Sequence, residues 1–231
     1  MKMRRNASRD TAENYLRHYG GLSFREYPFN EVDSLLLCQL AYLRFDGLIP
    51  QIPERKAWVR LFELAGHPEK ERLFEDILFP EENRALFHAM LSGKRFSTMG
   101  MNCYVNVVEK ERETQFSAVT YLLEDGMIYV AYRGTDVSFV GWKEDFNMAY
   151  IVPVPGQEMG VKYLNIVTRR FPGPFYVGGH SKGGNLAVYS SMYCLPKVRE
   201  RIRKIYDMDG PGFRPEILAT GRFEADRKSV V

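Results

Sequence analysis

A serine, Ser181, lies in Gly179-His180-Ser181-Lys182-Gly183, within the stretch VGGHSKGGNLAVYSSMYC at residues 177–194. The apolar run Phe175-Tyr176-Val177 precedes it, and Leu186, Ala187, Ser190 and Ser191 follow at spacings of three and four. This pattern predicts a strand that turns sharply into a helix with the serine at the corner. Such a corner lifts a hydroxyl above the sheet edge. It also sets the hydroxyl at a helix N-terminus, where unpaired N–H groups and the positive dipole end favour a developing oxyanion. The flanking glycines permit strained backbone angles and close approach, and the spacing is that of the G-x-S-x-G nucleophile elbow. The plain alternative is a glycine-rich turn that binds nothing.

An acyl-transfer serine needs oxyanion donors, a base and an orienting acid. The backbone N–H of Lys182, the residue after the serine, is one donor. Arg133-Gly134-Thr135-Asp136 closes an apolar run at 127–132. Thr135 is placed there to give the second N–H, with its hydroxyl as a further donor. The alternative is an ordinary turn at a strand end. Trp142 and Asp145 are three apart and share a helix face. Both read as structural: Asp145 holds the loop or pairs with Arg133, and Trp142 packs beneath it or, alternatively, lines an acyl pocket. Asp209 ends the last strand before Gly210-Pro211-Gly212. It reads equally as the orienting acid or as a cap on that turn.

The base is the difficulty. The histidines are His18, His67, His88 and His180. His180 adjoins the serine, so its side chain points away and reads as a packing residue. His88 precedes Ser181, against the Ser–acid–His chain order of the elbow enzymes. A dyad of Ser181 with Lys182 fails because adjacent side chains at a helix start diverge.

The elements that position these residues divide the chain into a helical region at 1–95 and an α/β core at 96–225. Asn30, Glu31 and Asp33 form a helix start, and Leu35, Leu36 and Leu40 give that helix an apolar stripe expected to pack on the sheet. Pro53 is read as opening a helix through Trp58, Leu61, Phe62 and Leu64, and a third helix is read at 82–91. From about Met101 the runs become β-rich. Strands and helices then alternate, which predicts a three-layer sandwich with a mainly parallel sheet.

Composition narrows the class. Net charge is +3 with both signs mixed along the chain, so nucleic acid is not an expected partner. Cys38, Cys103 and Cys194 are odd in number and far apart, which argues against a disulfide framework and for a reducing compartment, the cytoplasm. No metal-ligand spacing and no cofactor motif is present. No secretory leader is read at the N-terminus, and no run approaches the ~18 apolar residues of a membrane span.

The segments YRGT at 132–135, Trp142 with Asp145, and GGHSKGG around Ser181 resemble the class 3 lipase pattern. Together with FNEVDSLLLCQLAYL, YRGTDVSFVGWKEDFNM and DGPGF, they resemble more closely an uncharacterised bacterial family related to those lipases. The resemblance implies an α/β-hydrolase fold and serine esterase or lipase activity on a small-molecule acyl ester or lipid. In such proteins the sheet continues and a histidine follows. The expectation is therefore a truncated chain whose last strands and catalytic histidine are missing. Residues 226–231, DRKSVV, show no periodicity and match the translation of a common sequencing adapter, so they read as a non-native tail. A non-catalytic, hydrolase-like protein that binds a ligand or partner is the competing expectation.

Overall fold

Ile128-Tyr129-Val130-Ala131-Tyr132 is buried along its whole length. Ile128, Val130 and Tyr132 enter one apolar core, and Tyr129 and Ala131 enter another. Alternate side chains of a strand point to opposite faces, so this strand must be covered on both. The computed structural model describes residues 11–136, 139–148, 150–222 and 230–231, and it shows helices on each side.

Six strands form one open sheet in chain order: β1 (Val59–Arg60), β2 (Gly100–Glu109), β3 (Thr114–Leu122), β4 (Ile128–Tyr132), β5 (Phe175–His180) and β6 (Ile202–Met208). The pairs from β1 to β4 are antiparallel, and β4–β5 and β5–β6 are parallel. The fold is thus α/β with a mixed sheet, which corrects the expectation of a mainly parallel one. Short turns at 110–113 and 123–127 join β2 to β3 and β3 to β4, and turns of that length can connect only antiparallel neighbours. Parallel pairing begins where helices supply the crossovers.

On one face lie α1 (Ala12–Tyr19), α2 (Glu31–Leu40), α3 (Leu61–Ala65), α4 (Pro80–Leu91) and α5 (Lys94–Ser97). After β4 come α6 (Phe139–Asn147), α7 (Pro155–Arg170), α8 (Lys182–Tyr193), α9 (Pro196–Arg199) and α10 (Pro215–Leu218). Of these, α7 and α8 fill the opposite core.

The start of α2 is as its sequence predicts. Asn30 Oδ1 accepts from the Val32 N–H, and Asp33 Oδ2 accepts from the Asn30 N–H. Leu36 and Leu40 are buried, but Leu35 is 45% exposed. Ser34 and Cys38 turn toward the sheet and meet the Tyr129 hydroxyl at 2.6 and 3.3 Å. That choice of face rolls Leu35 outward. The helix expected from Pro53 is also corrected. The chain from 54 to 58 is irregular, the Trp58 and Phe171 rings meet at a tilt with centroids 4.5 Å apart, and only Leu61 to Ala65 is helical.

Two further expectations meet the structure at its end. Residues 226–229 of the supposed tail lie outside the described residues. The last two lie beside β6: the Val231 N–H donates to Ile205 O at 2.8 Å, and its carbonyl accepts from the Asp207 N–H at 3.0 Å. Among the described residues no helix is long and apolar enough to cross a membrane.

The helical layer is pinned by a buried ion pair. Arg95 donates to both oxygens of Asp33, at 2.7 and 2.5 Å, and to Tyr27 O at 2.8 Å, with both side chains fully buried. Removing one partner strands the other charge. Arg95→Met is expected to lower unfolding stability by about 3–5 kcal/mol, read as the urea midpoint, and an unchanged midpoint would contradict this assignment.

Candidate functional site

Ser181 sits between β5 and α8 with φ 55° and ψ −129°. A side chain pays a steric penalty in this region of backbone space, so the surroundings must hold it there. They do so by close packing. A Cβ on Gly179 would lie 2.2 Å from the Gly183 backbone, and one on Gly183 would lie 2.2 Å from Tyr132 O. The corner therefore rests directly on the end of β4, which explains both glycines of the motif. The Ser181 N–H donates to Met208 O at 2.9 Å, continuing the β5–β6 ladder one residue past the His180–Met208 pair. Beyond it, the first N–H groups of α8, that of Lys182 included, have no carbonyl acceptor within their own helix.

Thr135 follows β4 in the loop that reaches this corner. A Cβ on Gly134 would lie 2.6 Å from His180 O and 2.2 Å from the Tyr42 hydroxyl, so the loop lies against the end of β5. The Thr135 hydroxyl donates to Asp145 Oδ2. Asp145 thus holds the loop, one of its two expected roles. The same bond corrects the expectation for the Thr135 hydroxyl as a free donor: its one proton is engaged by Asp145. Burial holds the Asp145 carboxyl above its ordinary pKa, an effect the Thr135 bond and nearby Lys182 partly oppose.

Arg133 does not pair with Asp145. Its Nη2 donates to Asp136 Oδ2 at 3.1 Å and to Asn106 Oδ1 at 3.0 Å. Trp142 does not pack beneath the loop either, being 68% exposed. The reason lies in α6, which turns Gly141, Glu144 and Met148 inward, at spacings of three and four. Trp142 and Phe146 are left on the outside, with Asp145 at the flank.

Glu144 was not singled out by its type or position, yet it is fully buried. It accepts from Lys182 Nζ at 2.9 Å, from the Gln115 N–H at 3.1 Å and from the Gly156 N–H at 2.9 Å. Lys182 Nζ also donates to Gln115 O at 2.8 Å and Gln115 Oε1 at 2.6 Å, so all three of its protons are engaged. The only sequence signal was a lysine at the variable position of the serine motif.

Asp209 is exposed at the C-terminal end of β6, with φ 58°, beyond the pair that faces Ser181. The turn cap is Asp207, two residues earlier. Its Oδ1 accepts from the Gly210 N–H at 2.9 Å, and burial raises its pKa. The two roles considered for Asp209 are thus divided, and capping belongs to Asp207.

His180 Nδ1 lies 3.1 Å from the Tyr42 hydroxyl, and the two rings meet edge-on, so His180 is a packing residue. His88 is exposed on α4, which packs on α1, α2 and α5. Among the described residues no group of three His, Cys, Asp or Glu is placed to hold a metal ion.

Fold and site together define an α/β protein with a glycine-flanked serine at a strand–helix corner, beside a loop that carries Thr135. A family model described as Mbeg1-like matches residues 90–231, which carry every one of these site elements, and the chain belongs to that family. No curated protein and no solved structure matches it.

The Lys182–Glu144 pair gives a sharp expectation. Lys182→Met alone leaves a buried carboxylate and should cost about 3–5 kcal/mol, whereas Lys182→Met with Glu144→Leu should recover most of it. Urea titration of both variants checks this, and a double variant no more stable than the single one would contradict it.

Proposed function

We propose that the chain is a serine hydrolase of the esterase or lipase type, built on an α/β-hydrolase-type scaffold and acting on an acyl ester or lipid. The observation that carries the reading is the Ser181 backbone, held at φ 55° and ψ −129° by glycines that admit no side chain. In this reading the Ser181 Oγ attacks the ester carbonyl. The oxyanion that forms accepts from the Lys182 and Thr135 N–H groups, and Asp145 fixes the Thr135 loop. Asp209, just past the end of the strand beside the serine, is the candidate orienting acid. The three cysteines are buried and form no disulfide among the described residues, which supports a reducing compartment, the cytoplasm.

Among the described residues no base is placed beside Ser181. Tyr42 engages His180, and α4 carries His88 among the other helices of its layer. Without a base, Ser181 is a neutral hydroxyl and a weak nucleophile. The same observation favours the second reading, a hydrolase-like protein that binds a ligand or partner without turnover.

Losing the histidine of a serine triad costs about 10⁶ in kcat, while oxyanion donors and binding still leave roughly 10³–10⁴ over water. The 231-residue chain is therefore expected to label slowly with a fluorophosphonate, faster with added imidazole, and not at all as Ser181→Ala. Mass spectrometry of the adduct checks this. Labelling at another residue, or brisk ester turnover abolished by His88→Ala, would overturn the assignment.

A further inference from the structure

A cavity of about 270 Å³ opens beside the Thr135 loop. Arg133 and Asp136, on either side of Gly134 and Thr135, form one wall, and Tyr42, which holds His180, forms another. The cavity thus lies against the two ends of the Thr135 loop, and its Tyr42 wall touches the residue before the serine. Arg44, Asp46 and Asp76 complete its polar lining, and Ile77 and Val108 give it an apolar lip.

Each of the three carboxylates in this cavity lies within reach of a guanidinium, Arg44 serving two of them. Arg44 donates to Asp76 at 2.9 Å and lies 3.7 Å from Asp46. Asp46 also accepts from the Tyr104 hydroxyl and from Asn106 Nδ2, each at 3.3 Å. Arg133, with a side chain 7% exposed, is bound to Asp136 at 3.1 Å, and its buried Nε has no partner. An anionic ligand would need a guanidinium not already facing a carboxylate, and a cationic one would need an unpaired carboxylate. Neither is offered. What the lining does offer is planar donors and acceptors interleaved around a small volume, and a hydroxyl both donates and accepts. Taking ~30 Å³ per water, the cavity holds the volume of several waters, enough for a chain of three to six hydroxylated carbons. The apolar lip suits the C–H faces of such a chain.

We propose that this cavity binds an uncharged polyhydroxyl group, the alcohol part of the ester. The assignment of that group to an ester rests on the hydrolase reading of Ser181; its binding does not. The acyl part then extends away from the cavity, past the serine.

Saturation-transfer NMR on the full chain, with sorbitol, choline and inorganic phosphate as probes, tests this without requiring turnover. Sorbitol is expected to bind wild type and Ser181→Ala alike. Arg44→Met should weaken sorbitol about tenfold, the loss of a charged hydrogen bond, and should raise binding of choline, because Asp46 and Asp76 lose their cation. Choline or phosphate binding wild type better than sorbitol, or sorbitol unaffected by Arg44→Met, would overturn the proposal. Sorbitol binding with no labelling of Ser181 would keep the cavity assignment and remove the hydrolase reading. Labelling of Ser181 with no sorbitol binding would do the reverse.

Discussion

The contact between Lys182 and Glu144 governs the geometry of everything around the serine. Both side chains are about 1% exposed, and between them they join β3 through Gln115, α6 through Glu144, the start of α7 through Gly156, and α8 through Lys182. A buried pair of this kind adds little net stability, but losing either partner is costly. Its effect is to fix position. The next residue on α6, Asp145, holds Thr135. One short helix therefore sets the serine's helix and the facing loop relative to each other, through two adjacent carboxylates that point to different neighbours.

Glycine does the complementary work at the sheet edge. Gly179 and Gly183 let the corner settle on β4, while Gly184 and Gly210 leave room for the Asp207 carboxylate, whose Oδ1 lies 2.1 and 2.3 Å from where their Cβ atoms would be. This crowding keeps Ser181 in a backbone conformation that a non-glycine residue otherwise avoids. Strain at the serine and rigidity beneath it are two aspects of one packing arrangement.

Much of this was legible in the residues. The β-rich run at 127–132, the apolar run into the serine and the glycine spacing marked the corner, and the Asn30–Asp33 cap marked α2. What stayed hidden was the facing of helices and the fate of charged groups. Leu35 looked like core, but Ser34 and Cys38 found a buried tyrosine hydroxyl and turned the helix. Trp142 looked like packing, but the buried face of α6 is set by Glu144, a residue that hydrophobic patterning assigns to solvent. Crossover helices impose parallel pairing only in the second half of the sheet, and the hairpins before β4 give the opposite sense. Asp207 and Asp209 share a strand end and differ by two positions. Only the turn of the backbone at Asp209 separates the capping carboxylate from the exposed one.

The proposed hydrolase reading turns on whether the Lys182 and Thr135 N–H groups together receive an oxyanion formed at Ser181. The most direct measurement is NMR of the isotope-labelled chain with phenylboronic acid, which becomes tetrahedral when it bonds to a serine oxygen. The account predicts a tetrahedral boron signal that is absent from Ser181→Ala, with the Lys182 and Thr135 amide resonances shifting together on binding. Boron that stays trigonal, or a tetrahedral adduct that leaves either amide unmoved, would contradict it.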